Sequence, residues 1–481
     1  MERITECLVR LWDKDVGIIS WDERQRIARF QYTKDFLNSG LEISPLKMPL
    51  DEKIYVFPEL REKEVSSTFL GLPGIFADSL PEKDGNSLMK NWLRRQGIRF
   101  EDLNPVEKLC YVGKRGMGAL EYEPSIEFLK KREERINIDD LVKVAKDIIL
   151  NEENKKNPVI ENQNLVEQLI KISTSAGGAK AKALIAMKFK DGKPSAIYSG
   201  QADPRENLSY WIIKFSDVKN DEHKSDLNTG RLEYAYYLMA KASGIEMTHS
   251  HILKDSNGTG HFVTQRFDRI KGRKIHMTSL CGLAHLDRNP PGEVGYEELF
   301  DTARSLKLDN TRLEQLYRRM VFNILARNQD DHTKNHSFLM FEDGSWDITP
   351  AYDLCFSYNK DSKWIALQQM SCNGKRDDFT YNDLIKAAKQ ADISNPKRII
   401  AEVRTVLDSW KEFAFKAGLP EKEADAVQAL FRNDIRVPGI KYTGTEIEPE
   451  ENVNVNNIKT NIHSVKGKTP KSSDDDLGPG V

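Results

Sequence analysis

Cysteine is scarce. The five thiols (Cys7, Cys110, Cys281, Cys355 and Cys372) are scattered, odd in number and form no CxxC pair, so neither a disulfide framework nor a zinc site is indicated. Net charge is nearly absent as well: 72 Lys and Arg against 74 Asp and Glu leave −2 over 481 residues. A chain so balanced has no overall pull toward nucleic acid or an anionic membrane, and any DNA contact needs a local basic patch or a basic partner. Long apolar runs are missing too. No stretch approaches the ~18 residues of a membrane span, and the charged opening MERITECLVRLWDKD lacks the apolar core of a signal peptide. These absences describe a soluble, cytoplasmic protein with reduced thiols and no membrane partner. Internal repeats, a helix-turn-helix pattern and a basic arm are also lacking.

What is there is an ordinary globular balance, 39% hydrophobic and 30% charged, in a chain long enough for two or three domains. The amino-terminal stretch reads as strands: CLVRLW and VGIIS are β-branched and bounded by polar turns, and ARFQYT alternates apolar with polar residues. Pro81 and Gly85 then break the chain before a helix carrying Leu88, Met89, Trp92 and Leu93 on one side. The run GKRGMGALEYEP (Gly113 to Pro124) tempts a phosphate-loop reading. It has no Lys-Ser/Thr and leads into a strand, so a turn before a strand is expected. A polar stretch at 151–164 looks like a helix end and linker.

Beyond it, ISTSAGGAKAKALIAMKF is a glycine-rich turn passing into an apolar run, and SYWIIKFSD is a compact buried strand. Residues 227–244 should form a helix with Leu232, Tyr236, Met239 and Ala240 on one face, closed by Gly244. HFVTQRFDR is another strand. Helical spacing continues from about Tyr296 to Arg327, and two more helices are expected near 381–392 and 397–417. The last forty or so residues are poor in large apolar side chains and should be disordered.

The strongest chemical signal is NQDDHTKNHSFLMFEDGSWDITPAYDLC, from Asn328 to Cys355. Asp330 is followed by His332 and by Asn335, then by a strand, a turn at Asp343-Gly344, a second strand and another acid, Asp353. Phosphoryl transfer needs little covalent chemistry from a protein. It needs a carboxylate to orient the attacking hydroxyl and accept its proton, and oxygen ligands that fix Mg²⁺ on the phosphates. An Asp with an Asn five residues on is the spacing of protein-kinase catalytic loops, and a hairpin returns the chain so that a second acid meets the same metal. Read alone, the same residues make a solvated loop, with Asp353 capping a helix.

The other half of such a site lies upstream, in order. Gly177 and Gly178 would let backbone N–H groups approach phosphate oxygens. Lys214, ending the strand WIIK, would reach the α- and β-phosphates, and Glu233 in the next helix could hold it. The strand Phe262–Phe267 suits a hinge whose backbone would hydrogen-bond adenine. Each of these is weak singly, since Lys214 alone reads as a strand-end surface lysine and Glu233 as a solvated helix charge. Their order is the informative part.

With TSAGGAKAKA, WIIK, QRFDR, DDHTKN, ITPAYDL and, near the amino terminus, GLPGIFADSLPEKDGNSLM, the chain resembles the HipA kinases of bacterial type II toxin–antitoxin systems. The resemblance runs from about residue 5 to residue 435. It implies an α+β, bilobal protein-kinase-like fold with a β-rich N-terminal extension on the small lobe and a mostly helical large lobe. The corresponding divisions are 1–150 for the N-terminal subdomain, 165–270 for the small lobe, 271–440 for the large lobe and 441–481 for a disordered tail. It further implies ATP and Mg²⁺ as cofactors and transfer of the γ-phosphate to a serine or threonine. By position, Asp330 would be the base and Asn335 and Asp353 the metal ligands. Lys214 would bind phosphates, Gln265, Arg266 and Phe267 would form the adenine hinge, and His332 would orient the loop. The family's self-phosphorylated loop serine falls on Ser175 or, in the gapless register, on Thr174.

Three functions remain open at this level. The first is a toxin kinase acting on a protein, with aminoacyl-tRNA synthetases for glutamate or tryptophan as family targets. The second is a phosphotransferase for a small molecule or lipid. The third is a corepressor bound to a small helix-turn-helix antitoxin of the HipB type, which would bring operator DNA through that complex.

Overall fold

The computed structural model describes residues 3–62, 68–80, 93, 97–126, 135–143, 182–190, 193–200, 205–216 and 228–440. The helix expected around Leu88 (Leu93 apart), the linker at 151–164, the turn holding Thr174, Ser175, Gly177 and Gly178, and the tail from 441 lie outside the described residues.

Strict alternation in ECLVRL buries Cys7, Val9 and Leu11 and turns Glu6 to solvent, the period-2 signature of a half-covered strand. This strand, β1 (Glu6–Leu11), is an interior strand of an antiparallel sheet with β2 (Lys14–Asp22), β3 (Ile27–Tyr32), β4 (Tyr55–Val56) and β5 (Leu120–Glu123), in the order β4-β3-β2-β1-β5. Two short helices, α1 (Lys34–Leu37) and α2 (Gly74–Ala77), and the longer α3 (Pro105–Val112) accompany it. A reciprocal cap starts α3: Asn104 Oδ1 accepts from Glu107 N, and Glu107 Oε2 accepts from Asn104 N, both at 2.8 Å. The apolar side chains of this layer do not close on themselves. Cys281 and Met340, from far along the chain, complete the same cluster as Phe30, Phe76, Leu109 and Tyr122.

The second sheet is antiparallel in the order β7-β6-β8-β10-β9, built from β6 (Lys182–Lys190), β7 (Lys193–Ser199), β8 (Ser209–Lys214), β9 (Ser250–Lys254) and β10 (Gly260–Gln265). Trp211 and Ile213 of β8 enter one apolar cluster with Leu184 and Val263, while the next side chain, Lys214, turns to α4 (Thr229–Ala242). On α4 the expected face of Leu232, Tyr236, Met239 and Ala240 is buried, and Gly244 follows with φ +77°.

A small hairpin, β11 (Arg269–Ile270) and β12 (Arg273–Lys274), leads to β13 (His276–Ser279) and α5 (Leu280–Ala284). The strand β13 pairs with β14 (Ser337–Met340), which pairs with β15 (Trp346–Ile348). The helices around them are α6 (Tyr296–Ser305), α7 (Asn310–Leu325), α8 (Tyr381–Gln390), α9 (Pro396–Asp408), α10 (Trp410–Lys416) and α11 (Glu421–Gln428). The continuous helical pattern from Tyr296 to Arg327 is therefore two helices. Lys307 takes φ +60°, and Asp309 restarts the chain by accepting from Arg312 N at 3.0 Å, an N-cap. The 397–417 pattern likewise divides at Ser409, where Trp410 is fully buried and its indole N–H donates to Ala424 O at 2.9 Å. Among the described residues no helix is long and apolar enough to cross a membrane.

Burial pushes the imidazoles of His276 down to about 4 and of His285 and His336 down to about 3. An unfolded histidine titrates near 6.5. The unfolded chain therefore binds more protons than the fold below that value, and stability falls as the pH drops through it. Urea midpoints should decline between about pH 7 and about pH 5; a flat profile would contradict neutral, buried rings.

Candidate active site

Lys214 closes β8 directly opposite Lys182 at the start of β6. Its amine donates both to the carboxylate of Glu233 on α4 and to that of Asp353, which is 139 residues away in sequence. The Lys182 amine lies 3.9 Å from the second carboxylate oxygen of Asp353. Burial alone would push the Asp353 carboxyl up. The charges of Lys182 and Lys214 and the hydrogen bond from Lys214 outweigh it and hold the group well below the usual carboxylate range. For Lys214, burial is likewise overcome by Asp353 and Glu233, and the amine is held above its usual value. The four groups thus form a charged cluster in which Asp353 stays ionised.

Asp353 has φ +54°. This left-handed conformation is uncommon for a side-chain-bearing residue, although aspartate tolerates it better than most. Asp353 lies in an irregular segment after β15, with no helix following until α8, so it does not cap one. The residue before it anchors the segment: Tyr352 donates its hydroxyl to Lys334 O at 2.6 Å and also meets the Ser337 hydroxyl. Through Tyr352, the Asp353 segment and the loop 328–335 are fastened together.

That loop is no solvated excursion. Asp331 is 1% exposed and accepts from Tyr296 Oη at 2.6 Å, Gln368 Nε2 at 2.8 Å and Gln369 N at 2.9 Å. Its neighbour Asp330 leaves half of its side chain in solvent, with Oδ1 3.9 Å from His332 Nε2. One acid is thus anchored so that the next can be presented. The Asn335 side-chain nitrogen donates to Asp330 O at 2.6 Å, and its backbone N–H donates to His332 O at 2.8 Å. With the amide nitrogen engaged, the amide oxygen is the end left to meet a cation. Asn335 and an ionised Asp353 are the hard oxygen donors magnesium prefers, and a magnesium–nucleotide site needs only one or two such protein ligands. The residues fit that ion.

At the expected hinge, the structure narrows what the backbone offers. Gln265 N donates to His249 O and Arg266 N to Tyr210 O, both at 2.8 Å, so neither of these N–H groups is free for an adenine edge. The Phe267 ring lies 5.8 Å from that of Tyr352. The Arg266 side chain is buried against Asp268. Asp268 is fully buried and also accepts from Arg269 at 2.9 Å and from Gly118 N at 2.7 Å, while Arg269 donates to Gly116 O and Gly118 O. The glycine run at Gly113–Gly118 is therefore a docking turn before β5, gripped from the residues just after the hinge.

Of the residues singled out in the sequence, Lys214, Glu233 and Asp353 come into direct contact, and Asp330, His332 and Asn335 share the adjoining loop. Lys182 was missed. Its signal was the alternation AKAKAL, which already places a lysine on one face of a strand.

Residues 7–123 match the HipA N-terminal domain, and residues 174–410 match the HipA-like C-terminal domain. The chain belongs to the HipA-like family. The fold is that of a solved HipA structure: the Shewanella oneidensis MR-1 toxin–antitoxin complex of HipA, HipB and operator DNA has a chain matching at TM-score 0.60 and 17% identity, over 88% of this chain and 94% of that one. A slighter similarity, TM-score 0.33 and 12% identity, covers 53% of this chain and 90% of the Helicobacter pylori proinflammatory kinase CtkA. No curated protein matches the chain. The α+β class and the sheet-rich amino-terminal part expected from the sequence are those observed, as in HipA.

Proposed function

We propose that this chain is an ATP- and Mg²⁺-dependent serine/threonine protein kinase of the HipA toxin type, acting in the cytoplasm. The observation that carries the reading is the double engagement of Lys214. One amine meets Glu233 and Asp353, while Tyr352 ties the Asp353 segment to the loop of Asp330 and Asn335. In this reading Asp330, half in solvent, orients the acceptor hydroxyl and takes its proton. His332 supports the loop beside it. Asn335 and Asp353 would hold the metal, which would supply positive charge to neutralise the charge developing on the phosphates. Lys214, oriented by Glu233, and Lys182 beside it bind phosphates once nucleotide separates them from Asp353. Gly177 and Gly178 would cover the phosphates, and the hinge segment Gln265, Arg266 and Phe267 would receive the base.

The same reading assigns 1–150 to an N-terminal subdomain, 165–270 to a small lobe, 271–440 to a large lobe and 441–481 to a tail. It calls for a protein substrate, a helix-turn-helix antitoxin of the HipB type, and operator DNA through that complex. The similar fold of the Shewanella complex supports the partner. Mass spectrometry of the purified chain after incubation with ATP and Mg²⁺ tests the proposal. It should find phosphate on Ser175 or Thr174; the absence of both self-labelling and labelling of any added protein would refute the proposal.

A further inference from the structure

Asp78 lies outside every role assigned above, yet its carboxylate reaches under the catalytic loop. It follows α2 in the amino-terminal layer. Oδ2 accepts from Ser279 N at 2.6 Å and Oδ1 from Ser279 Oγ at 2.7 Å, with Thr278 Oγ1 3.4 Å away. Ser279 is the last residue of β13 and caps α5, its hydroxyl accepting from Gly282 N at 3.2 Å. The next residue, Leu280, donates its N–H to His336 O at 2.7 Å, and His336 adjoins Asn335. Ser279 also stands opposite Ser337 in the sheet register, and Ser337 meets the Tyr352 hydroxyl. Two consecutive links therefore connect a carboxylate of the amino-terminal layer to the residue beside a metal ligand.

The surrounding packing is built for this approach. A Cβ on Gly74 would lie 2.4 Å from Gly282 O, and one on Gly282 would lie 2.9 Å from the Asp78 carboxylate. Only glycines let α2 and α5 touch here. Gly74 N donates to His285 Nε2 at 3.0 Å, which requires the imidazole to be neutral at that nitrogen. Charge-assisted hydrogen bonds of the kind Asp78 makes are about twice as strong as neutral ones. The α5 start is thus held from both sides, by Asp78 and by the close packing of α2.

We propose that Asp78 is a positioning residue for phosphoryl transfer, a carboxylate from the amino-terminal layer that fixes the 333–337 backbone and with it Asn335. The proposal rests on the kinase reading. It separates Asp78 from an ordinary interface residue, whose loss would lower stability without altering turnover in the molecules that remain folded.

The test uses the full chain with ATP and Mg²⁺, comparing wild type with Asp78→Asn, Asp78→Glu and Ser279→Ala. In Asp78→Asn, kcat should fall about 10- to 100-fold, as expected for a small displacement at a reacting centre, with KM for ATP little changed. Backbone amides at 333–337 should exchange hydrogen faster, and those of α7 should not. Asp78→Glu should recover part of kcat. Ser279→Ala, which leaves the carboxylate in place, should show a smaller change of the same kind and keeps the test available if Asp78→Asn does not fold. Unchanged kcat and exchange in folded variants would overturn the proposal, as would a loss of activity that merely tracks the urea midpoint. If the wild type transfers no phosphate, the kinase reading fails, and the anchoring of 333–337 is then decided by the exchange measurement alone.

Discussion

Replacing Asp330 with asparagine should lower phosphoryl transfer by about 10²–10⁴-fold, the range of a positioned general base, while leaving the fold intact. The side chain is half exposed, and its Oδ1 lies 3.9 Å from His332 Nε2. A near-isosteric change at such a position typically shifts stability by no more than about 0.5 kcal/mol. Nucleotide binding should persist as well, because the lysines and Asp353 stand on other elements. Single-turnover transfer of labelled phosphate, beside superimposable thermal melts, checks both halves. Transfer at the wild-type rate would remove Asp330 from the chemistry. The adjacent Asp331 is the opposite kind of acid, buried beneath four donors that include Met370 N at 3.4 Å. One acid is held inside the protein and the other is left half in solvent.

The second large effect is expected at Asp268. Substituting alanine leaves the buried guanidinium groups of Arg266 and Arg269 without their shared carboxylate, and Gly118 N without its acceptor. Breaking a buried ion pair from one side costs about 3–5 kcal/mol, so the urea midpoint should fall sharply at neutral pH. The loss should depend on pH in a definite direction. Burial would push the Asp268 carboxyl up, but Arg266 and Arg269 hold it below its ordinary range. Its contribution is therefore complete above about pH 4, the unfolded value, and fades as the pH falls toward the lowered one. Wild type and variant should converge in acid. A variant as stable as wild type at pH 7 would show that the arginines find other partners.

Local chemistry was the most legible part of the sequence. Asp330, Asn335 and Asp353 are joined by a short hairpin, so their spacing alone brings them near one another, and the order of Lys214 and Glu233 suggested a pair that the structure places in contact. Apolar periodicity gave the faces of β3 and α4 but not the breaks at Lys307 and Ser409, because the pattern continues across them while the backbone does not. Lys182 escaped because its strand was read as the end of a glycine turn. The ties of Asp268 to Gly118 and of Asp78 to Ser279 span 150 and 201 residues. Nothing in either segment marks its partner, since such contacts arise only when separate layers pack. The glycine run illustrates the difference: its composition recorded a close approach, but not what approaches.

Those long spans matter during synthesis. The first sheet leaves the ribosome well before the carboxylates, hydroxyls and apolar groups that complete it, including Cys281 and Met340. At roughly 5–20 residues per second, the nascent amino-terminal portion waits on the order of ten to forty seconds with its glycine turn ungripped and one side of its core open to chaperones. Expression yield of this chain should therefore respond to translation speed between Tyr122 and Met340 more than to codon changes upstream.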